Sequence, residues 1–223
     1  MDNTVHFVLS QSILIAFFIG IVRYRKIDPA YYPFFYYTCI AVLMEVLAHI
    51  FTLYNRADLH LPALHIYSYL EFCLFAWLFH NWGLFNRQKT VFISVLIIFF
   101  VVWVISSFFV HGFKELNYYF LTLYSFALIF FSVSTFNKVV VHERGNIFRN
   151  PKFLICIGII IFYTFFILFN VTSLSVFRQN VSKSFRANLQ QINVYTNLLV
   201  NLLYAVAILW IPRKQNFTTP FSS

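Results

Sequence analysis

Long apolar runs broken by short polar segments set the pattern of this chain. Seven runs stand out, at about 4–22, 32–54, 61–79, 91–110, 118–136, 153–169 and 192–211. The breaks read RYRKIDPA, NRADLH, FNRQKT, HGFKEL, VHERGNIFRNPK and the longer VFRQNVSKSFRANLQQ. Each run comes close to the roughly 20 apolar residues that cross about 30 Å of hydrocarbon as a helix. Barrel strands would alternate apolar and polar positions, and runs such as VFISVLIIFFVVWVI do not. Helices are the remaining way to satisfy so much backbone in lipid. The pattern predicts an all-α, polytopic transmembrane bundle of seven helices, one domain over residues 1–223.

Composition sharpens the class. The chain is 61% hydrophobic and 10% charged, against about 25% charged residues in soluble domains. The net charge of +9 has a topological reading. With the N-terminus outside, the inner side holds Arg23, Arg25, Lys26, Arg87, Lys89, Lys138, Arg144, Arg149, Lys152, Arg213 and Lys214. Arg56, Lys114, Arg178, Lys183 and Arg186 fall outside. Basic residues gather on the cytoplasmic side, which gives an N-out, C-in orientation. The charge then implies no nucleic-acid partner; the predicted partner is the lipid bilayer of the cell (inner or plasma) membrane. Asp2 stands where a signal peptide would be positive, so the first run reads as a retained helix. Cys39, Cys73 and Cys156 are isolated, with no CxxC pair, and read as packing residues.

Polar residues inside the runs carry the candidate chemistry. MEVLAHIF (44–51) puts Glu45 and His49 one helical turn apart in the second span. The third span holds His65, Ser68 and Glu71, with Tyr67 near that line. Counted from the helix ends, Glu45 and Glu71 reach similar depth, and the two spans should be antiparallel neighbours. The last span adds Asn193, Asn197, Asn201 and Tyr204 at spacings of four and three, which share one face. Thr122, Ser125 and Ser132 offer less in the fifth span, and the fourth offers almost nothing, which puts it at the lipid-facing periphery. A charged residue at a helix centre costs about 2.5–3.5 kcal/mol to insert. Each glutamate therefore needs a partner. The expectation is a polar pocket open toward the outer side, formed by Glu45, His49, His65, Ser68, Glu71, Asn193, Asn197, Asn201 and Tyr204. Interhelical hydrogen-bond glue is the plainer reading of the Ser, Thr and Asn residues.

Three functions fit such a pocket. The first is sensing or binding of a small ligand or proton, with a cytoplasmic or membrane protein partner to carry the output. The second is small-solute transport, proton-coupled through the glutamates. The third is a zinc-dependent intramembrane hydrolase using Glu45, His49, His65 and Glu71 as donors. ExxxH spacing and the lack of a third histidine at depth weigh against the third, so no cofactor is expected and the chain leans away from an enzyme. A retinal protein would need a lysine in the last span, and residues 192–211 contain none.

HIYSYLEFCLF (65–75) aligns with NVYTNLLVNLL (193–203), and CIAVL (39–43) with CIGII (156–160). A parallel 3+1+3 repeat would give this; so would composition alone. The stretch 176–191 repeats Phe177, Val181, Phe185 and Leu189 at spacing four, with basic residues between. It predicts an interfacial helix or lid, or an early start to the last span.

HIYSYLEF (65–72), RNPKFLICIGIIIFY (149–163) and NVYTNLLVNLLYAVAILW (193–210) resemble a group of small bacterial seven-helix membrane proteins with no assigned activity. That group shows a similar H-x-Y-x-x-x-E-F third helix, an N-P-x-F start to the sixth and a polar last helix. The resemblance implies bacterial inner-membrane residence and brackets His65 with Glu71.

Overall fold

The structure is a computed structural model that describes residues 9, 11–85, 88–110, 113, 115–142 and 146–214. Among these, seven main helices follow one another: α1 (Ile13–Arg23), α2 (Tyr32–Leu53), α3 (Ala57–Asn81), α4 (Lys89–Val104), α5 (Tyr118–His142), α6 (Pro151–Ser173) and α7 (Lys183–Trp210). Six helical segments are long and apolar enough to cross a membrane, from Pro29–Leu53 through Lys183–Trp210. The described part of the first run is the 11-residue α1; the rest of the expected span at 4–22 lies mostly outside the described residues. The chain is thus an all-helical, multi-pass membrane protein whose apolar helices face lipid.

Local chemistry starts the helices where the pattern breaks. Asp28 accepts from the Ala30 amide at 2.8 Å and leads through a single turn, Pro29–Tyr31, into α2. Asn150 accepts from the Lys152 amide at 2.9 Å with Pro151 opening α6. Ser182 accepts from the Phe185 amide at 3.1 Å at the start of α7. These side chains satisfy amide donors that the first helical turn leaves free, and proline at the first position loses nothing there. Between α3 and α4 the chain turns at Gly83 with φ +79°, a left-handed conformation that suits glycine.

Helix contacts form a ring. α1 packs on α2, α2 on α3, α3 on α5, α5 on α6, α6 on α7, and α7 returns to α1. α4 leans on α3 and α5 from outside. Within the apolar segment Lys89–Phe109 that contains it, only 11% of the core stretch is buried in the bundle, so it presents its surface to lipid.

The ring is solid in one half. Phe34, Tyr37, Phe75, Tyr163 and Tyr204 are buried and meet edge to face or tilted: Tyr204 with Phe34 at 5.0 Å, Tyr37 with Phe75 at 4.5 Å, Phe75 with Tyr163 at 6.3 Å. Gly158 lets Tyr204 approach α6; a Cβ there would lie 2.5 Å from Tyr204 Cε1. Beyond this aromatic plug, the α1–α2 connection clasps the segment after α7. Ile27 bridges Arg213, the Asp28 amide donates to Pro212 O at 3.2 Å, and the Lys214 amide donates to Lys26 O at 2.9 Å. Arg23 adds a bond to Ile211 O at 3.0 Å.

Two expectations about elements change. Residues 176–191 form no separate interfacial helix: Ser175–Arg178 is one helical turn and α7 is already helical from Lys183, the early start that was the alternative. The last helix is 28 residues long, about 42 Å at 1.5 Å per residue, so its first turns extend past the hydrocarbon and tolerate charge. α3 likewise starts at Ala57 rather than near 61, with Pro62 inside it, close enough to the helix start that few backbone bonds are lost.

Candidate functional site

The other half of the ring is hollow. A cavity of about 920 Å³ is lined by α1, α2, α3, α5, α6 and α7 and by the segment before α5. Its wall carries Glu45, His49, His65, Ser68, Glu71, Asn193, Asn197 and Asn201. Of the residues picked from sequence, Tyr204 stands apart: it belongs to the aromatic plug beneath the cavity, packed on Phe34 and Gly158. The lining residues His49, Thr52 and Gln190 are exposed, while Glu71 and Asn201 are 5% and 3% exposed. The cavity therefore opens at the end where α2 stops and α3 and α7 begin, and its floor lies against the plug.

Glu71 sits on that floor. Tyr124 Oη of α5 donates to Glu71 Oε2 at 2.8 Å, and Tyr67 Oη, one turn earlier on α3, donates to Oε1 at 3.1 Å. Each carboxylate oxygen thus accepts one phenolic proton. The Tyr124 ring continues into Tyr163 at 5.7 Å and Phe120 at 5.4 Å, which holds its hydroxyl in place.

Glu45 lies higher on the wall. Ring pairs Phe51–His60, Tyr37–Phe75 and Tyr36–Trp77 fix the antiparallel register of α2 on α3. That register sets Glu45 level with about residue 67 and Glu71 level with about residue 41. Glu71 is about four residues, roughly 6 Å, deeper. The expectation of equal depth fails because it counted α3 from near 61, four residues after its true start. The two acids share one cavity at two levels.

His65 and Ser68 line the cavity but are committed to structure. His65 is 2% exposed. Its Nε2 donates to the Glu115 carbonyl at 2.8 Å, and its Nδ1 accepts from Ser107 Oγ at 3.0 Å; a carbonyl can only accept, which fixes this tautomer for a neutral ring. Asn117 Nδ2 donates to Ser107 Oγ at 3.1 Å, its Oδ1 accepts from the Phe120 amide at 3.1 Å and from Ser106 Oγ. Ser106 and Ser107 sit in a π-helical turn, Ile105–Val110, that follows α4. Ser68 Oγ and Trp103 Nε1 both donate to the His65 carbonyl at 2.8 Å. The network ties α3 to the end of α4 and the start of α5.

The amides of α7 divide similarly. Asn201 Nδ2 donates to Ser12 Oγ at 2.9 Å and to Asn197 Oδ1 at 3.4 Å, joining α7 to α1. Asn193 Oδ1 is buried with no hydrogen-bond partner among the described residues. Among the polar lining residues that the sequence pattern did not single out are Tyr37, Tyr124, Asn117 and Asn170. Asn170 is 1% exposed in α6, and neither amide atom has a partner among the described residues. Its place at the end of the Phe162, Phe166 face, at spacing four, was the available signal.

No protein-family model, curated protein or solved structure matches this chain.

The chemistry has to be read from the geometry. The donor set considered for zinc does not assemble: among the described residues no three His, Cys, Asp or Glu side chains group around one point, and both His65 nitrogens are spent on Ser107 and Glu115. What the ring does present is a volume within the roughly 300–1,000 Å³ of small-molecule sites, walled by phenyl rings and amides, with an acid at its base.

Proposed function

We propose that this protein is an integral membrane binding protein that takes a small ligand into the hollow half of its helix ring from the outer side. The observation that carries it is Glu71, an ionisable group on the floor of an accessible cavity. Ionisable residues at such depth in a membrane usually mark a site. The basic residues Arg23, Lys26, Lys138, Lys152 and Arg213 cluster around the opposite end, where Lys138 Nζ reaches Gly83 O at 3.4 Å and Arg213 bridges Ile27. Positive charge favours the cytoplasm, so the cavity mouth faces out, in the N-out, C-in orientation, and the basic end is available to a cytoplasmic or membrane partner. Residence in a bacterial inner membrane belongs to the same proposal.

The ring order supports a second reading. α1–α2–α3 and α5–α6–α7 follow each other around the ring with α4 outside, the order a parallel 3+1+3 repeat would give, and repeats of that kind build transporters. Transport would require the plug of Phe34, Tyr37 and Tyr204 to part.

Asn193→Cys on the cavity wall tests the site in an otherwise cysteine-free chain. A water-soluble maleimide should label it from the outside of sealed vesicles, and a bound ligand should slow that labelling. A cysteine there that stays unreactive would remove the open cavity from consideration. Accumulation of the protecting ligand inside the vesicles would replace binding by transport.

A further inference from the structure

The carboxylates Glu45 and Glu71 line the cavity, with His49 and His65 as the other residues there that can take a proton, and among the described residues no lysine or arginine lines it. At the same end, Arg56 is paired with Asp58 at 3.0 Å, and Lys183 and Arg186 are absent from the lining. The Glu71 carboxylate accepts a hydrogen bond on each oxygen, from Tyr67 and Tyr124, the pattern that suits an ionised acid. Around it stand π faces: Tyr37, Tyr67 and Tyr124 near the floor, and Phe162, Phe166 and Phe169 on the α6 side. Asn170, buried to 1% exposure and unpartnered among the described residues, lines the same space.

We infer that the cavity takes an organic cation, an alkyl- or arylammonium small enough for about 920 Å³. The inference rests on the proposed function and names its ligand class. Glu71 is the counter-ion at the floor, held in place by its two tyrosines. The aromatic walls attract the positive charge by their quadrupoles, an interaction that strengthens as water is excluded. Asn170 Oδ1 accepts an N–H from the ligand or from its polar substituent. Glu45, higher on the wall, is the first acid that an entering cation meets.

The test uses the full chain in nanodiscs of neutral phosphatidylcholine, titrated with probes of matched shape: 2-phenylethylammonium, 2-phenylethanol and phenylacetate, with tetraethylammonium as a second cation. At least one cation should bind about tenfold or more tighter than the neutral and anionic probes, and Glu71→Gln should cost that cation about tenfold or more. Thr52→Lys, at an exposed lining position, adds a positive charge at the mouth and should weaken the same cation severalfold; it carries the test if Glu71→Gln does not fold. Equal or tighter binding of 2-phenylethanol or phenylacetate, full cation affinity in the folded variant, or no cation binding at all would each overturn the assignment. Labelling of Asn193→Cys separates the two levels. A reactive cysteine protected by a neutral or anionic probe leaves the binding site standing and removes only the cation. An unreactive cysteine removes both.

Discussion

Tyr124 and Tyr67 hold the two oxygens of Glu71, and they are not equal. Tyr124 is 1% exposed and donates at 2.8 Å from another helix, while Tyr67 is less buried and donates at 3.1 Å from the same helix. Tyr124→Phe leaves a buried carboxylate oxygen without its donor and should lower stability by about 1.5–3 kcal/mol, the usual worth of a hydrogen bond to a charged group. Tyr67→Phe should cost less, and denaturant titrations of the two variants in one detergent check the order. A second residue-scale prediction concerns Gly158. Gly158→Ala drives a methyl into Tyr204 and should cost about 1–3 kcal/mol as overpacking. In a Tyr204→Leu background the same change should cost little, and a double-mutant cycle measures the difference. Glu71 was legible in the sequence because a carboxylate in an apolar run is conspicuous. Tyr124 was not, because tyrosine sits equally well in an apolar run as a packing ring or an interfacial anchor, and only its neighbour across the ring distinguishes these.

At the scale of elements, the network around His65 shows how an intramembrane histidine becomes structural. Its two nitrogens bind α3 to the π turn after α4 and to the carbonyl of Glu115. His65→Leu would strand the Ser107 hydroxyl and the Glu115 carbonyl and should cost about 2–3 kcal/mol. Amide exchange should then rise first at Ile105–Val110, where one wall of the network is lost. The span pattern placed His65 in the same pocket as Glu71, since it sets a residue at a depth but does not show which loop will cover it. The early start of α7 was only one of two alternatives in the pattern for a related reason. Lys183, Arg186, Gln190 and Gln191 interrupt the apolar run, and a pattern tuned to hydrocarbon thickness stops where charge begins, although the helix continues. Ser182→Ala should fray that extension at a cost of about 1 kcal/mol, visible as faster exchange over the first turns of α7 with the plug unaffected.

For the whole molecule, the ring divides into a packed half and a hollow half, with basic residues around the packed end. Single cysteines report this arrangement. Thr52→Cys should react with a membrane-impermeant thiol reagent from outside intact cells, and Lys26→Cys only after permeabilisation. The reverse result would invert the orientation and place the cavity mouth in the cytoplasm. The spans themselves were legible as runs of apolar residues, and the fourth as peripheral because it lacks polar positions. The ring order was not, since pairing of α7 with α1 joins the two ends of the chain and leaves no mark in local pattern. The clasp between residues 26–28 and 212–214 and the Asn201–Ser12 bond hold this closure.

Closure by α7 has a consequence for synthesis. Five of the ring's helices emerge before it, and until it inserts, Glu45 and Glu71 border an open gap between α6 and α1 that membrane lipid can enter. A nascent chain stalled before 183 would thus hold two acids in an unfinished groove, at the cost that ionisable groups carry next to lipid. In a single step, insertion of α7 converts that groove into a walled chamber that opens only at its mouth.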